Sequence, residues 1–113
     1  MKPGIKVLRD IEGLGTEITN SSKVTITYSC YLNDGDAVFE NRTEEIDLRN
    51  RTVIAGLRYG LEGMKVGGTR KFKASPHLCY GDRGVDGLIR ANAVLVFDIH
   101  EITLSDVDKS ILL

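Results

Sequence analysis

The 113-residue chain sets 15 lysines and arginines against 16 aspartates and glutamates, for a formal net charge of −1, and its 42% apolar and 27% charged residues are ordinary for a globular protein. Its basic residues are scattered rather than striped, which speaks against a nucleic-acid partner, and no run approaches the ~18 apolar residues of a membrane span. The length suits one domain, 1–113, with its core over about 5–104 and a tail over 105–113; Met1-Lys2-Pro3-Gly4 leads into no signal-like apolar run, so a cytoplasmic monomer is expected.

Ile5, Val7 and Ile11 alternate with Lys6 and Asp10 and predict a first strand, ended by a turn at Gly13-Leu14-Gly15. That Gly-x-Gly is followed by no helix with Walker residues, so it is read as a turn rather than a phosphate loop. In "KVTITYSCYL", Val24, Ile26, Tyr28, Cys30 and Leu32 take one face of a strand and Thr25, Thr27, Ser29 and Tyr31 the other. Asn33-Asp34-Gly35 turns the chain, and Ala37-Val38-Phe39 restarts it as a hairpin partner.

Residues 41–52 are dense in charge, with Ile46 and Leu48 alternating around Asp47, and predict a flap or short edge strand. Within it, Glu44-Glu45 is read as solvated rather than as a catalytic carboxylate pair. The stretch "AGLRYGLEGMKVGG", residues 55–68, spends five glycines on a segment whose Ile54, Leu57, Leu61 and Met64 follow helical spacing. Each glycine inside a helix costs about 1 kcal/mol relative to alanine, so Gly56 and Gly60 predict a close approach by a neighbouring backbone or sheet. Lys65-Val66-Gly67-Gly68 is expected to stop the helix.

"TRKFKA" then alternates as a strand with Arg70, Phe72 and Ala74 on one face. Residues 75–92 hold Pro76, Gly81, Gly84 and Gly87 and no period, and a loop that long in a compact domain is usually functional. In the last strand, "AVLVFDIHEITL", Leu95, Phe97 and Ile99 share a face before the phase shifts to Ile102 and Leu104, which predicts a bulge near His100-Glu101. The sum is an α+β domain: five or six antiparallel strands in a half-barrel wrapped around one short helix.

Nucleophile chemistry has little support, because Ser75 and His77 sit in no Gly-x-Ser-x-Gly elbow. Cys30 and Cys79 lack Cys-x-x-Cys spacing and predict two reduced, mostly buried thiols rather than a metal site. What remains is aromatic and aliphatic. "YLNDGDAVFEN", "VIAGLRYGLEGMKVGGTRKF", "SPHLCYG" and "AVLVFDI" resemble, in order, the motifs of FKBP-type peptidyl-prolyl cis-trans isomerases, and the resemblance runs from about Val24 to Leu104.

That resemblance implies rotation of X–Pro bonds in an apolar pocket between sheet and helix, with no cofactor and no metal. The partners it implies are proline-containing peptides or client proteins, and macrolide inhibitors. It assigns catalytic roles to Tyr28, Phe39, Glu40, Ile54, Tyr80 and Phe97, and substrate contacts to Val53, Leu57 and Ile89. Leu57 stands where the family commonly has a tryptophan floor, and Glu40 where it usually has aspartate. The segment between Phe39 and Val53 is shorter than in small members, and Ile89-Arg90-Ala91 replaces a frequent Ile-Pro-Pro. A second reading keeps the pocket but makes the chain a weakly active binding module or chaperone.

Overall fold

A computed structural model describes residues 2–105. Alternation in the sequence becomes five strands: β1 (Ile5–Ile11), β2 (Lys23–Leu32), β3 (Ala37–Asp47), β4 (Thr69–Ala74) and β5 (Leu95–Leu104). They form one antiparallel sheet in the order β1-β4-β5-β2-β3. Among the described residues the single α-helix, α1 (Ala55–Leu61), lies between β3 and β4 in the chain.

The inward face of β2 is as the alternation predicts, with Val24, Ile26, Tyr28, Cys30 and Leu32 all buried. On β4 the inward set is Arg70, Phe72 and Ala74, and on β5 Leu95, Phe97 and Ile99. All of these except Arg70 meet Leu57, Leu61 and Met64 in one core. On β5 the phase shift has the predicted cause: Thr27 pairs with Glu101 and Tyr28 with Ile99, so His100 is the extra residue of a bulge.

The helical glycines are explained by β4. A methyl on Gly60 would fall inside the Phe72 ring, and one on Gly56 would come within 2.9 Å of both Ala74 Cβ and Cys79 Sγ. What approaches the helix is therefore the side-chain surface of β4, and Phe72 presses where an alanine would stand.

Several expectations need correction. The first strand does not bury Ile11, which is 60% exposed, because the pairing with β4 shifts between Val7 and Arg9 and changes which residues face inward. The helix ends at Leu61, earlier than the apolar spacing suggests, with extended Glu62 and positive-φ Gly63 leading out of it. Met64 is still buried, but on a segment paired with the chain before β2: Ile18 N–H donates to Met64 O at 2.6 Å and Val66 N–H to Thr16 O at 2.9 Å. Of the two readings of 41–52, the edge strand holds and the flap does not: β3 is the edge strand of the sheet and continues through a bulge to Asp47. Of the expected tail, Ser105 is fastened by its N–H to Lys23 O at 2.9 Å; residues 106–113 lie outside the described residues.

Candidate functional site

Across the sheet Cys30 of β2 has Phe97 of β5 on one side and Phe39 of β3 on the other. A small side chain flanked by two phenylalanines leaves a hollow, and one residue pair along, Tyr28 closes its end. The Tyr28 ring meets Phe39 edge to face at 5.0 Å between centroids and stacks on Phe97 at 6.4 Å, while Phe97 leans on buried Phe72 at 5.5 Å. Such offset and edge-to-face pairs hold ring orientation beyond what burial alone supplies.

The hollow opens into a cavity of about 390 Å³ bounded on its other sides by the helix entrance and the loop before β5. An Asn50 turn brings the chain to the helix: Thr52 N–H donates to Asn50 Oδ1 at 3.0 Å and Val53 N–H to Asn50 O at 3.2 Å. Ile54 then caps α1 with extended backbone, no side-chain cap, and an N–H that has no hydrogen-bond partner among the described residues. Leu57, one turn on, is 4% exposed and lines the same cavity.

The loop over 75–92 is more ordered than its composition suggests. A one-turn 3-10 helix at Pro76–Leu78 presents Tyr80 to the cavity. Val85 and Ile89 exchange backbone hydrogen bonds of 2.7 and 2.8 Å across a tight turn with Gly87 at φ +73°, which folds Ile89 inward to 7% exposure. Arg90 ties this loop to the β2–β3 turn through Asp34 at 2.9 Å. The conformation around Ile89 is thus set by backbone pairing and this ion pair, with Arg90-Ala91 following it.

Of the nine residues singled out in the sequence, Tyr28, Phe39, Val53, Ile54, Leu57, Tyr80, Ile89 and Phe97 line this one cavity. Glu40 does not. Its carboxylate lies on the outer surface and accepts from the Tyr31 hydroxyl at 2.7 Å. The reason is a bulge in β3: Cys30 pairs with Phe39 but Tyr28 with Arg42, so two steps on β2 face three on β3. Asn41 takes φ +53° within that bulge. Beyond it the phase is inverted, and Arg42, Glu44 and Ile46 turn inward.

Arg42 and Glu44 are therefore the charged site residues that sequence reasoning missed. Glu44, read as solvated, accepts at Oε1 from the Tyr28 hydroxyl at 3.1 Å and from Arg42 Nη1 at 3.3 Å, and the Arg42 guanidinium lies 3.7 Å over the Phe39 ring. Glu45 does stay outside, paired with Lys23 at 3.2 Å. The one sequence signal was Asn41, a residue type tolerant of positive φ, placed inside a strand pattern.

The cavity keeps its titratable groups uncharged apart from this pair. Burial, reinforced by the neighbouring Glu44 carboxylate, pushes the Tyr28 phenol above its usual range, and burial raises Tyr80 as well. The Cys30 thiol is pushed up to about 12 by burial. The result is a mostly apolar wall with phenol hydroxyls, one unpaired backbone N–H and one ion pair, which suits binding and desolvation of an apolar group rather than nucleophilic attack.

Residues 15–101 match the family profile described as FKBP-type peptidyl-prolyl cis-trans isomerase. The chain is 36% identical over 112 residues to FK506-binding protein 1A of Neurospora crassa, covering 94% of this chain and 92% of that protein. It is 34% identical over 101 residues to the FK506-binding protein of Neisseria meningitidis serogroup A, covering 85% and 93% respectively. Its structure is similar to the crystal structure of a peptidyl-prolyl cis-trans isomerase from Pseudomonas syringae, with a TM-score of 0.75, 26% identity, and coverage of 93% of this chain and 84% of that one.

Proposed function

We propose that the cavity walled by Tyr28, Phe39, Leu57 and Phe97 is where this chain, which belongs to the FKBP-type peptidyl-prolyl cis-trans isomerase family, turns X–Pro bonds. That the chain is a peptidyl-prolyl cis-trans isomerase follows from the family match and from relatives matched over nearly their whole length. The observation supporting this location is a cavity of about 390 Å³ whose aromatic side chains come from three different strands and the loop before β5.

The barrier to rotating the bond, about 18–20 kcal/mol, arises from amide resonance, which a nucleophile is not needed to break. The planar amide is more charge-separated than the twisted one. A water-poor wall of Tyr28, Phe39, Leu57 and Phe97 disfavours the planar form relative to the transition state, and that difference is what accelerates rotation. The Ile54 N–H and the Tyr80 hydroxyl are donors toward the carbonyls of a bound peptide and orient it. Val53 and Ile89 flank the proline ring.

The same cavity takes FK506-type macrolides in this reading, as the relatives named for that ligand do, and the natural substrates are proline-containing segments of folding proteins. A protease-coupled assay with a Leu-Pro peptide tests it. Acceleration at micromolar protein, lost in a folded Phe97→Ala variant, is the expected result; a rate equal to the uncatalysed one would leave a binding module without turnover.

A further inference from the structure

The wall of the cavity contains two charged residues, Arg42 and Glu44, and they are paired to one another. Both donors that reach Glu44, the Tyr28 hydroxyl and Arg42 Nη1, converge on Oε1. Oε2 has no hydrogen-bond partner among the described residues. The two members are not equivalent. The Arg42 side chain is 50% exposed, with its guanidinium lying on the Phe39 ring, whereas Glu44 is 35% exposed and bonded to Tyr28 at the end of the hollow.

Resting on the isomerase reading of this cavity, we propose that Glu44 is the specificity-determining residue of the site: its open oxygen Oε2 favours a cationic side chain before the proline and disfavours a carboxylate there. A peptide whose proline ring enters the hollow must lay the preceding residue along the wall. Along β3 that wall offers one unengaged carboxylate oxygen, set deeper than the guanidinium that balances it. Specificity is a difference of affinities, and a half-exposed charge acting on another a few ångströms away contributes discrimination on the order of three- to ten-fold. Without Glu44, Arg42 would stand alone at the rim and the preference would turn toward acidic residues.

The test measures kcat/KM for three peptides identical except for Lys, Leu or Glu before the proline, with the wild-type chain and with Glu44→Gln, Arg42→Gln and Glu40→Gln. The wild type should prefer Lys to Glu by about three- to ten-fold. Glu44→Gln should erase or invert that ratio, Arg42→Gln should enlarge it, and Glu40→Gln, whose side chain faces away with Tyr31, should leave it unchanged. A ratio rather than a rate is read, so a general loosening of the wall would not imitate the result. If Glu44→Gln folds poorly, Arg42→Gln reports on the same pair with the opposite sign. Equal ratios in wild type and both pair variants overturn the proposal while leaving the isomerase reading intact. A wild type that turns over none of the three peptides removes that reading and the proposal together.

Discussion

Arg70 Nη1 donates to the Gly60 carbonyl at 2.9 Å and to the Glu62 carbonyl at 3.0 Å, so a strand residue closes the end of the helix that carries Leu57. Arg70 is 5% exposed, and its other guanidinium nitrogens reach both Asp10 carboxylate oxygens at 3.2 Å. A cation here also complements the negative end of the helix dipole.

Arg70→Met should accordingly destabilise the fold by about 1–3 kcal/mol for each buried carbonyl left without a donor. Arg70→Lys should recover part of the loss, since an ammonium supplies charge without the planar fork. Urea unfolding of the three proteins checks this; a methionine variant as stable as wild type would mean that water replaces the donor at no cost.

Ser29 fastens the two bulges that shape the cavity. Its Oγ accepts from the Asn41 N–H at 3.0 Å on the β3 side and bonds His100 Nε2 at 3.0 Å on the β5 side, and the residue is 1% exposed. Ser29→Ala should cost about 1–3 kcal/mol by leaving the Asn41 N–H unsatisfied. It should also lower kcat/KM more than Thr27→Ala, because Phe39 and Arg42 flank the loosened bulge. Equal kinetics for the two alanine variants would show that the bulge holds its shape without this bond.

The thiols make stability fall in alkali. Burial raises both Cys30 and Cys79 to about 12 in the fold, against about 8.5 for a free cysteine. Between those values the unfolded chain has lost protons that the folded chain retains, so the stabilisation is complete below about pH 8.5 and disappears as pH rises toward 12. Unfolding free energy measured from pH 7.5 to 10.5 should decline, and Cys30→Ala should flatten the slope. The folded protein should also label slowly with iodoacetamide at Cys30; rapid labelling there would place its side chain on the wrong face of β2.

Leu57 is the position where affinity for a large apolar ligand can be raised. An indole would extend the wall into the cavity, and burying a large side chain against a ligand contributes roughly 1.5–3 kcal/mol, which corresponds to a gain of about ten-fold or more. Leu57→Trp should tighten FK506 binding by that factor in a fluorescence or calorimetric titration. Unchanged affinity in a folded variant would remove position 57 from the floor of the ligand site.

How the residues read in sequence depends on whether local periodicity or long-range pairing decides them. The inward face of β2, the helical stripe through Leu57 and Leu61, and the β5 bulge at His100 were all legible, because each is written as a period or a break in one. The order of motifs added the cavity, and eight of the nine residues so assigned stand around it. The helix length was less legible: Met64 keeps the apolar spacing, yet pairing with residues 16–18 takes its backbone out of the helix.

By itself the sequence determined the strands, the helix face and the aromatic residues of the site, since apolar spacing must match the geometry that buries it. Only the tertiary structure decided which carboxylate enters the cavity. Glu40 and Glu44 are indistinguishable by residue type, and strict alternation from Phe39 would turn both outward. The bulge at Asn41, required for β3 to stay in register with β2, inverts the phase between them and sends Glu44 in. Ser29 was hidden for the same reason: it lies on the polar face of β2, and its burial depends on Asn41 and His100, each brought over it by a bulge in a neighbouring strand. A one-residue slip exchanges the faces of a strand, and the pairing that sets it lies between segments far apart in the chain.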